Sequence, residues 1–240
     1  GKRGNGFYQK ARKRVEKVNV VVVNHTLFFS LLDSAMEERD ERDMGYIFPN
    51  DFVIFDEAHT LEDVAASQLG LRLSQSGLRF DISRLYNPRN KKGLLKQLRC
   101  GEGIQAAEEL LERTQDFFDE LEESVQFGQY SKESRVRESD IVDNTLAEPL
   151  RKLWDKVEDE AEKLEKESSA RKELMDGARR LREVHGTLRL FLDQTDEESV
   201  YWIEKSGRDG DVLSLRSAPI NVADRLRELM FGKGRTCILT

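Results

Sequence analysis

Two adjacent carboxylates at the end of an apolar run are the residues of this sequence best suited to chemistry. Asp56 and Glu57 directly follow Phe52–Phe55, and Ala58 and His59 complete the string. An unbroken run of aromatic and β-branched residues predicts a strand buried on both faces, as in a parallel sheet. The two acids then lie at the carboxyl end of that strand, where open α/β sheets bind their ligands.

This carboxylate pair suits phosphoryl transfer from a nucleoside triphosphate. We expect Asp56 to support a Mg²⁺ ion, mainly through water, because hard cations prefer oxygen ligands. Glu57 would activate the water that attacks the γ-phosphate, and His59 would couple that site to another surface. The alternative is a surface Asp-Glu pair that opens a helix, whose first turn favours acids. The apolar run and the complete four-residue string favour nucleotide hydrolysis.

Composition restricts the class of protein. The chain has 240 residues, enough for one large or two modest domains, and its net charge of −7 argues against a basic coat for nucleic acid. Residues 2–17 are nevertheless locally basic. No apolar run approaches the roughly 20 residues that span a bilayer, and the N-terminus has no apolar signal core, so we expect no membrane partner and a cytoplasmic location. Cys100 and Cys237 do not have the spacing of metal ligands, and we expect both to be reduced thiols.

Three features carry a resemblance to a known family: residues 20–25, residues 56–63 and residues 217–222. The string at 56–59 resembles the second motif of superfamily 2 helicases. In this order, with a long insertion before the last feature, the three together resemble the DinG/XPD-like DNA helicases, the DinG branch more closely. The resemblance is strong at both ends of the chain and only positional over the insertion.

The resemblance implies an α/β fold: a partial RecA-like motor domain with a parallel sheet, interrupted by a large, mostly α-helical insertion. Residues 1–70 and 199–240 would form the motor segments, and residues 71–198 would correspond to the family's helical arch. The implied function is ATP-driven translocation on single-stranded DNA and unwinding of duplex or branched DNA, in repair or replication. ATP and Mg²⁺ are the implied cofactors.

The spacing of apolar residues supports this organisation. Stripes at three- and four-residue steps predict three long helices, and such narrow stripes suit helices that pack on one another. Two strands around a Gly-containing turn predict a hairpin. A polar stretch between the first two helices predicts a loop. The stripes cover residues 104–125, 146–164 and 174–192, the hairpin strands residues 200–204 and 211–215, and the loop residues 128–143. A last apolar run, residues 236–239, predicts the start of a further buried strand.

Several residues have two interpretations. Asn24 and His25, after a predicted buried strand at 18–23, either cap the next helix or, with Ser217, lie near the nucleotide or the nucleic acid. Tyr201 and Trp202 either stack on bases or belong to the core, and we favour the core. The charged helices of the insertion either carry a solvated face or border the path of single-stranded DNA.

Two parts of a complete helicase are missing from the sequence. It contains no Gly-rich phosphate loop that ends in Lys and Ser or Thr, and no second motor domain. We therefore expect an internal fragment that does not turn over ATP by itself. Many family members carry a [4Fe–4S] cluster whose last cysteine would stand near Gly6, and no cluster ligand is assigned here. The alternative function is a non-catalytic helical interaction module on a motor remnant. The long insertion speaks against an RNA helicase of the same superfamily.

Overall fold

The computed structural model describes residues 14–15, 18–30, 52–207, 210–227, 230 and 236–240. Predictions for residues 1–13 and 31–51 lie outside the described residues. The chain divides into two compact units: the first comprises residues 1–70 and 218–240, and the second comprises residues 71–217. None of the described helices has the length and apolar character needed to span a membrane.

The named elements begin in the first unit, continue through the second and return to the first. They are β1 (Phe52–Phe55), α1 (Leu61–Gln68), β2 (Arg72–Ser74), α2 (Gln75–Leu85), α3 (Leu94–Gln97), α4 (Gly101–Ser124), β3 (Glu133–Val136), α5 (Ala147–Glu162), α6 (Ser169–Asp193), β4 (Ser199–Ser206), β5 (Val212–Pro219), α7 (Val222–Leu226) and β6 (Thr236–Leu239). Residues 25–30 are also helical, and Ala58–Thr60 forms a 3₁₀ turn.

The first unit is built on the parallel pair β1 and β6, whose bounds agree with the two strands that the sequence predicts. Phe52 lies opposite Thr236, and Phe55 lies opposite Leu239. One face of this pair packs on helices, and the Phe28 and Phe55 rings meet edge to face at 5.0 Å. The buried cluster consists of Phe28, Phe29, Phe55, Leu61, Ala65, Val222, Leu226 and Met230.

Two predictions for the first unit are wrong. β1 is not buried on both faces: Phe52 and Ile54 are 62% and 58% exposed, because among the described residues helices cover only one face of the pair. The predicted strand at 18–23 is not a strand, and Val22 is 91% exposed. A run of valines favours extended backbone, but a strand also needs a neighbour for its hydrogen bonds, and none of the described strands pairs with it.

The second unit contains a four-stranded sheet in the order β2-β5-β4-β3. β2 pairs antiparallel with β5, placing Leu73 opposite Leu215, and β3 pairs antiparallel with β4, placing Val136 opposite Tyr201. The neighbouring strands β4 and β5 form the predicted hairpin. Tyr201 is buried against Phe191, with ring centroids 5.7 Å apart, which agrees with its interpretation as a core residue. Trp202, the neighbouring residue, is only half-buried.

The three apolar stripes of the sequence form α4, α5 and α6, as predicted. Each helix buries one face, and a single core joins the helices to the sheet. Its largest fully buried side chains include Phe117, Phe118, Phe191, Leu110, Leu121, Leu146, Leu150 and Leu153. The exposed faces carry ion pairs, such as Lys152 with Glu109 at 2.6 Å. The fold class is therefore confirmed: α/β, with a parallel strand pair and a large helical insertion.

The structure places two segments differently from the sequence analysis. Residues 199–217, which are most of the hairpin, belong to the second unit, because β5 pairs with β2 and Ser217 hydrogen-bonds to Leu71. The polar stretch at 128–143 contains β3, whose Val136 is buried in the core of that unit. Short edge strands with mostly polar residues give little apolar signal, which is why this strand was missed. The division into a motor domain and an arch stays a prediction.

Candidate active site

The parallel pairing of β1 and β6 positions the two carboxylates. Asp56 follows β1 and Thr240 follows β6, at the same edge of the pair. The Thr240 amide donates to the Phe55 carbonyl at 2.9 Å, and the Ala58 amide donates to the Thr240 carbonyl at 2.9 Å. The Thr240 hydroxyl also donates to Asp56 Oδ1 at 2.9 Å. These three bonds fix the position of Asp56 at the strand end.

Glu57 lies at the sharpest turn of the backbone in this region. Its φ of 54° and ψ of 47° place it in the left-handed region, which few residues other than Gly, Asn and Asp adopt. The amide and the hydroxyl of Thr60 both donate to the Glu57 carbonyl, each at 3.0 Å. The turn directs the Glu57 side chain into solvent, where a water nucleophile would be available. Strain of this kind is concentrated at functional sites in proteins.

His59 lies beside Glu57 rather than beside Asp56. Its Nδ1 is 3.3 Å from Glu57 Oε2, and the side chains are 75% and 72% exposed. A contact this exposed contributes little to stability, since water competes for both side chains.

The predicted residues Asn24 and His25 have different positions. Asn24 Oδ1 accepts a hydrogen bond from the Leu27 amide at 2.8 Å, so Asn24 caps the helical segment 25–30, one of its two interpretations. The His25 ring lies 5.8 Å from the Phe55 ring, and its Nδ1 is 3.3 Å from Thr60 Oγ1. His25 is thus connected to the Glu57 turn through Thr60. Whether either residue meets nucleic acid stays a prediction.

Ser217 belongs to the second unit. It is buried in β5, and its Oγ accepts a hydrogen bond from the Leu71 amide at 2.9 Å. The Ser217 amide in turn donates to the Leu71 carbonyl at 3.0 Å. This reciprocal pair extends the β2–β5 ladder, a structural role that accounts for the hydroxyl. The nucleic-acid role predicted for Ser217 has no support from these contacts.

The arrangement at Asp56 fits a weakly held Mg²⁺ ion. Mg²⁺ usually keeps several waters and takes one or two carboxylates together with substrate phosphates. Asp56 is exposed and has a hydroxyl neighbour in Thr240, which suits such partial coordination. The part of the chain that the structure describes has no group of three His, Cys, Asp or Glu side chains placed to hold a metal. An ion at this site would therefore depend on bound nucleotide.

Two threonines of the site were missed by the sequence analysis. Thr240 follows the predicted strand β6 as Asp56 follows β1, so its position at the same edge could have been inferred from strand order alone. Thr60 lies three residues after Glu57, a spacing that often closes a turn by a side-chain hydrogen bond. Threonines are common at both kinds of position, so neither signal is specific.

Comparison with known proteins gives matches along nearly the whole chain. Residues 3–78 match the family model described as DEAD_2. Over 239 residues the chain is 30% identical to the ATP-dependent DNA helicase YoaA of Escherichia coli and 26% identical to that of Haemophilus influenzae. It is 24% identical over 280 residues to the 3'-5' exonuclease DinG of Bacillus subtilis.

Each of these matches covers 98% of this chain, but only 34% of either YoaA protein and 28% of the DinG protein. The chain thus spans about one third of the length of these relatives. The resemblance to DinG/XPD-like helicases is confirmed, and it now extends through the insertion, where the sequence motifs gave only a positional likeness.

Proposed function

From its similarity to DinG/XPD-like helicases over 98% of its length, we propose that this chain is part of an ATP-dependent DNA helicase. The observation that carries the proposal is the placement of Asp56 and Glu57 at the carboxyl end of a parallel strand pair. A nucleotide at this edge would meet two oxygen-rich side chains at the position where α/β sheets bind ligands. The proposed protein translocates on single-stranded DNA and unwinds duplex or branched DNA.

Each site residue has a proposed role. Asp56, held by Thr240, is the carboxylate for Mg²⁺, whose bound form would neutralise charge on the phosphates. Glu57 orients and deprotonates the attacking water, since its side chain projects from the left-handed turn into solvent. His59, within 3.3 Å of Glu57, couples hydrolysis to DNA contact. His25 and Thr60 position the Glu57 turn through the Thr60 hydroxyl.

The test is ATP hydrolysis by the complete protein that contains these residues, with and without single-stranded DNA. Glu57→Gln should reduce turnover roughly 100-fold or more while nucleotide binding persists, because the amide keeps the size of the side chain and loses the base. Glu62→Gln is the matched control, since Glu62 is an exposed acid in α1 away from the strand end. His59→Ala should keep basal turnover and lose most of the stimulation by DNA.

Unchanged turnover in Glu57→Gln would refute the role of Glu57. Equal losses in Glu57→Gln and Glu62→Gln would show a general effect of charge. Absence of turnover in the unaltered protein would favour the alternative function, a helical interaction module formed by the second unit, whose helices and sheet share one large core.

A further inference from the structure

A segment of the second unit carries a concentrated positive charge. Residues 86–99, here called the basic segment, contain five cationic side chains and no acid, in a chain whose net charge is −7. The cations are Arg89, Lys91, Lys92, Lys96 and Arg99, and all five are exposed. Such a departure from the balance of the whole chain indicates a surface for an anionic partner.

The tip of the basic segment is an ordered turn. The Asn87 amide donates to the Lys92 carbonyl at 2.7 Å, and the Lys92 amide donates back to the Asn87 carbonyl at 3.3 Å. Inside the turn, the side-chain oxygens of Asn87 and Asn90 accept from the amides of Arg89 and Lys92, each at 3.0 Å. The backbone that presents the lysines is therefore fixed before any partner arrives.

Buried residues anchor the segment on both sides of the turn. Tyr86 precedes it, Leu94 and Leu95 follow it, and all three belong to the core of the second unit. Gly93 has a φ of 144°, and a Cβ built on it would lie 2.3 Å from the Leu85 carbonyl oxygen. The backbone can approach this closely only because residue 93 has no side chain. A preorganised surface of this kind loses little conformational entropy on binding.

The cations of the basic segment differ from other lysines and arginines that the structure describes in the second unit. None of the five cations forms an ion pair there, whereas lysines elsewhere in the unit do. Lys152, Lys163 and Lys172 bind Glu109, Glu160 and Glu167 at 2.6, 2.8 and 2.7 Å. The acids nearest in sequence are also engaged: Asp81 pairs with Arg180, and Glu102 pairs with Lys156.

Arg89 differs somewhat from the other four cations. It borders a groove that Asp119, Glu122 and Asp211 also line, so part of its field is offset by neighbouring acids. Lys91, Lys92, Lys96 and Arg99 do not line that groove. The three lysines are therefore the side chains to alter in a test.

We propose that the basic segment binds the phosphate backbone of single-stranded DNA; this inference rests on the proposed function. Unpaired Lys and Arg side chains supply the sequence-independent part of nucleic-acid affinity by neutralising phosphates. Tyr86, Leu94 and Leu95 are buried and Leu98 is half-buried against the core, so the segment lacks the fully exposed aromatic or aliphatic anchors typical of protein interfaces. Its asparagine oxygens are occupied within the turn, which leaves the cations as the recognition groups.

The experiment measures binding of a fluorescein-labelled oligothymidylate to the chain by fluorescence anisotropy across a range of salt concentrations, without nucleotide. The test variant is Lys91→Gln/Lys92→Gln/Lys96→Gln. The control is Lys152→Gln/Lys163→Gln/Lys172→Gln, which removes the same number of positive charges from exposed positions where each lysine has an acidic partner. Thermal unfolding of both variants checks that the fold is kept.

The test variant should bind roughly tenfold or more weakly at low salt, and the slope of log K against log salt should fall by about 2, or about 0.7 for each lost phosphate contact. The control should keep the slope and most of the affinity. Equal losses in the two variants, an unchanged test variant, or no binding by the unaltered chain would overturn the inference. The binding assay contains no nucleotide, so its outcome is independent of the ATP hydrolysis measured for Glu57→Gln. Failure of this inference and failure of the proposed function can therefore be told apart.

Discussion

The Glu57 turn of the first unit and the helical second unit differ in how exposed and how well paired their polar residues are. Asp56, Glu57 and His59 are exposed, and Glu57 occupies a backbone conformation that costs free energy. In the second unit many exposed charges are paired, and side chains such as Phe117 are fully buried. The comparison places the proposed chemistry at an exposed strand edge, whereas most of the buried apolar side chains belong to the helical core.

The strongest test of this contrast is Phe117→Ala in the core of the second unit. Phe117 is fully buried, so its loss should reduce the free energy of unfolding by about 3–5 kcal/mol. Urea unfolding followed by tryptophan fluorescence reports this unit specifically, since Trp154 and Trp202 both lie in it. Phe80→Ala is the control, because Phe80 is 65% exposed and its loss should cost within about 0.5 kcal/mol. Similar costs for both variants would contradict this assignment of the core.

A second test concerns the anchor of the basic segment. Gly93→Ala should lower the free energy of unfolding by about 2 kcal/mol or more, because the added Cβ would meet the Leu85 carbonyl and the backbone conformation is strained for Ala. Gly186→Ala is the control, since its Cβ would meet nothing within 4 Å in the middle of α6. The free energy of unfolding of that control should rise by up to about 1 kcal/mol, because Ala has a higher helix propensity than Gly. Tolerance of Gly93→Ala in urea unfolding would show that the segment is not held as described.

The third test asks whether the backbone of the Glu57 turn is strained. Glu57→Gly should stabilise the first unit by about 1 kcal/mol, because glycine adopts a positive φ without steric cost, while catalysis is lost. Slower hydrogen exchange at the Ala58 and Thr240 amides, which bond across the strand ends, would report the gain. Glu62→Gly in α1 should instead destabilise the first unit, since glycine weakens a helix. Faster exchange in Glu57→Gly would remove the argument for strain.

The smallest predicted effect is a pH dependence in the second unit. Burial raises the pKa of the Asp81 carboxyl, against the attraction of Arg180 and Arg84. The stability that this raised pKa contributes is present below the ordinary pKa of Asp and is lost as pH rises through the folded value. The free energy of unfolding of Asp81→Asn, relative to that of the unaltered chain, should therefore increase as pH rises from about 3.5 to about 6. The increase should be less than about 1 kcal/mol.

Urea unfolding at several pH values measures this trend. Asp116→Asn, at an exposed position of α4, controls for the loss of one surface charge. A trend of the opposite sign would mean that the arginines outweigh burial at Asp81.

Much of the fold was predictable because its signals are local. The apolar runs gave the bounds of β1 and β6, and the three- and four-residue stripes gave α4, α5 and α6. The location of Asp56 and Glu57 at a strand end followed from the same runs, since strand geometry fixes where the next residue lies. The sequence also showed five cations without an acid in residues 86–99, a signal that the sequence analysis did not use.

Other features depended on contacts between residues distant in the chain, which no local pattern encodes. Helices cover only one face of β1, so Phe52 and Ile54 are exposed despite their apolar run. The bond from Thr240 to Asp56 joins residues 184 apart in sequence. The pairing of β5 with β2 assigned most of the hairpin to the second unit. Local periodicity thus determined which elements form, whereas tertiary packing decided which faces are covered, which charges are paired and which groups meet at the site.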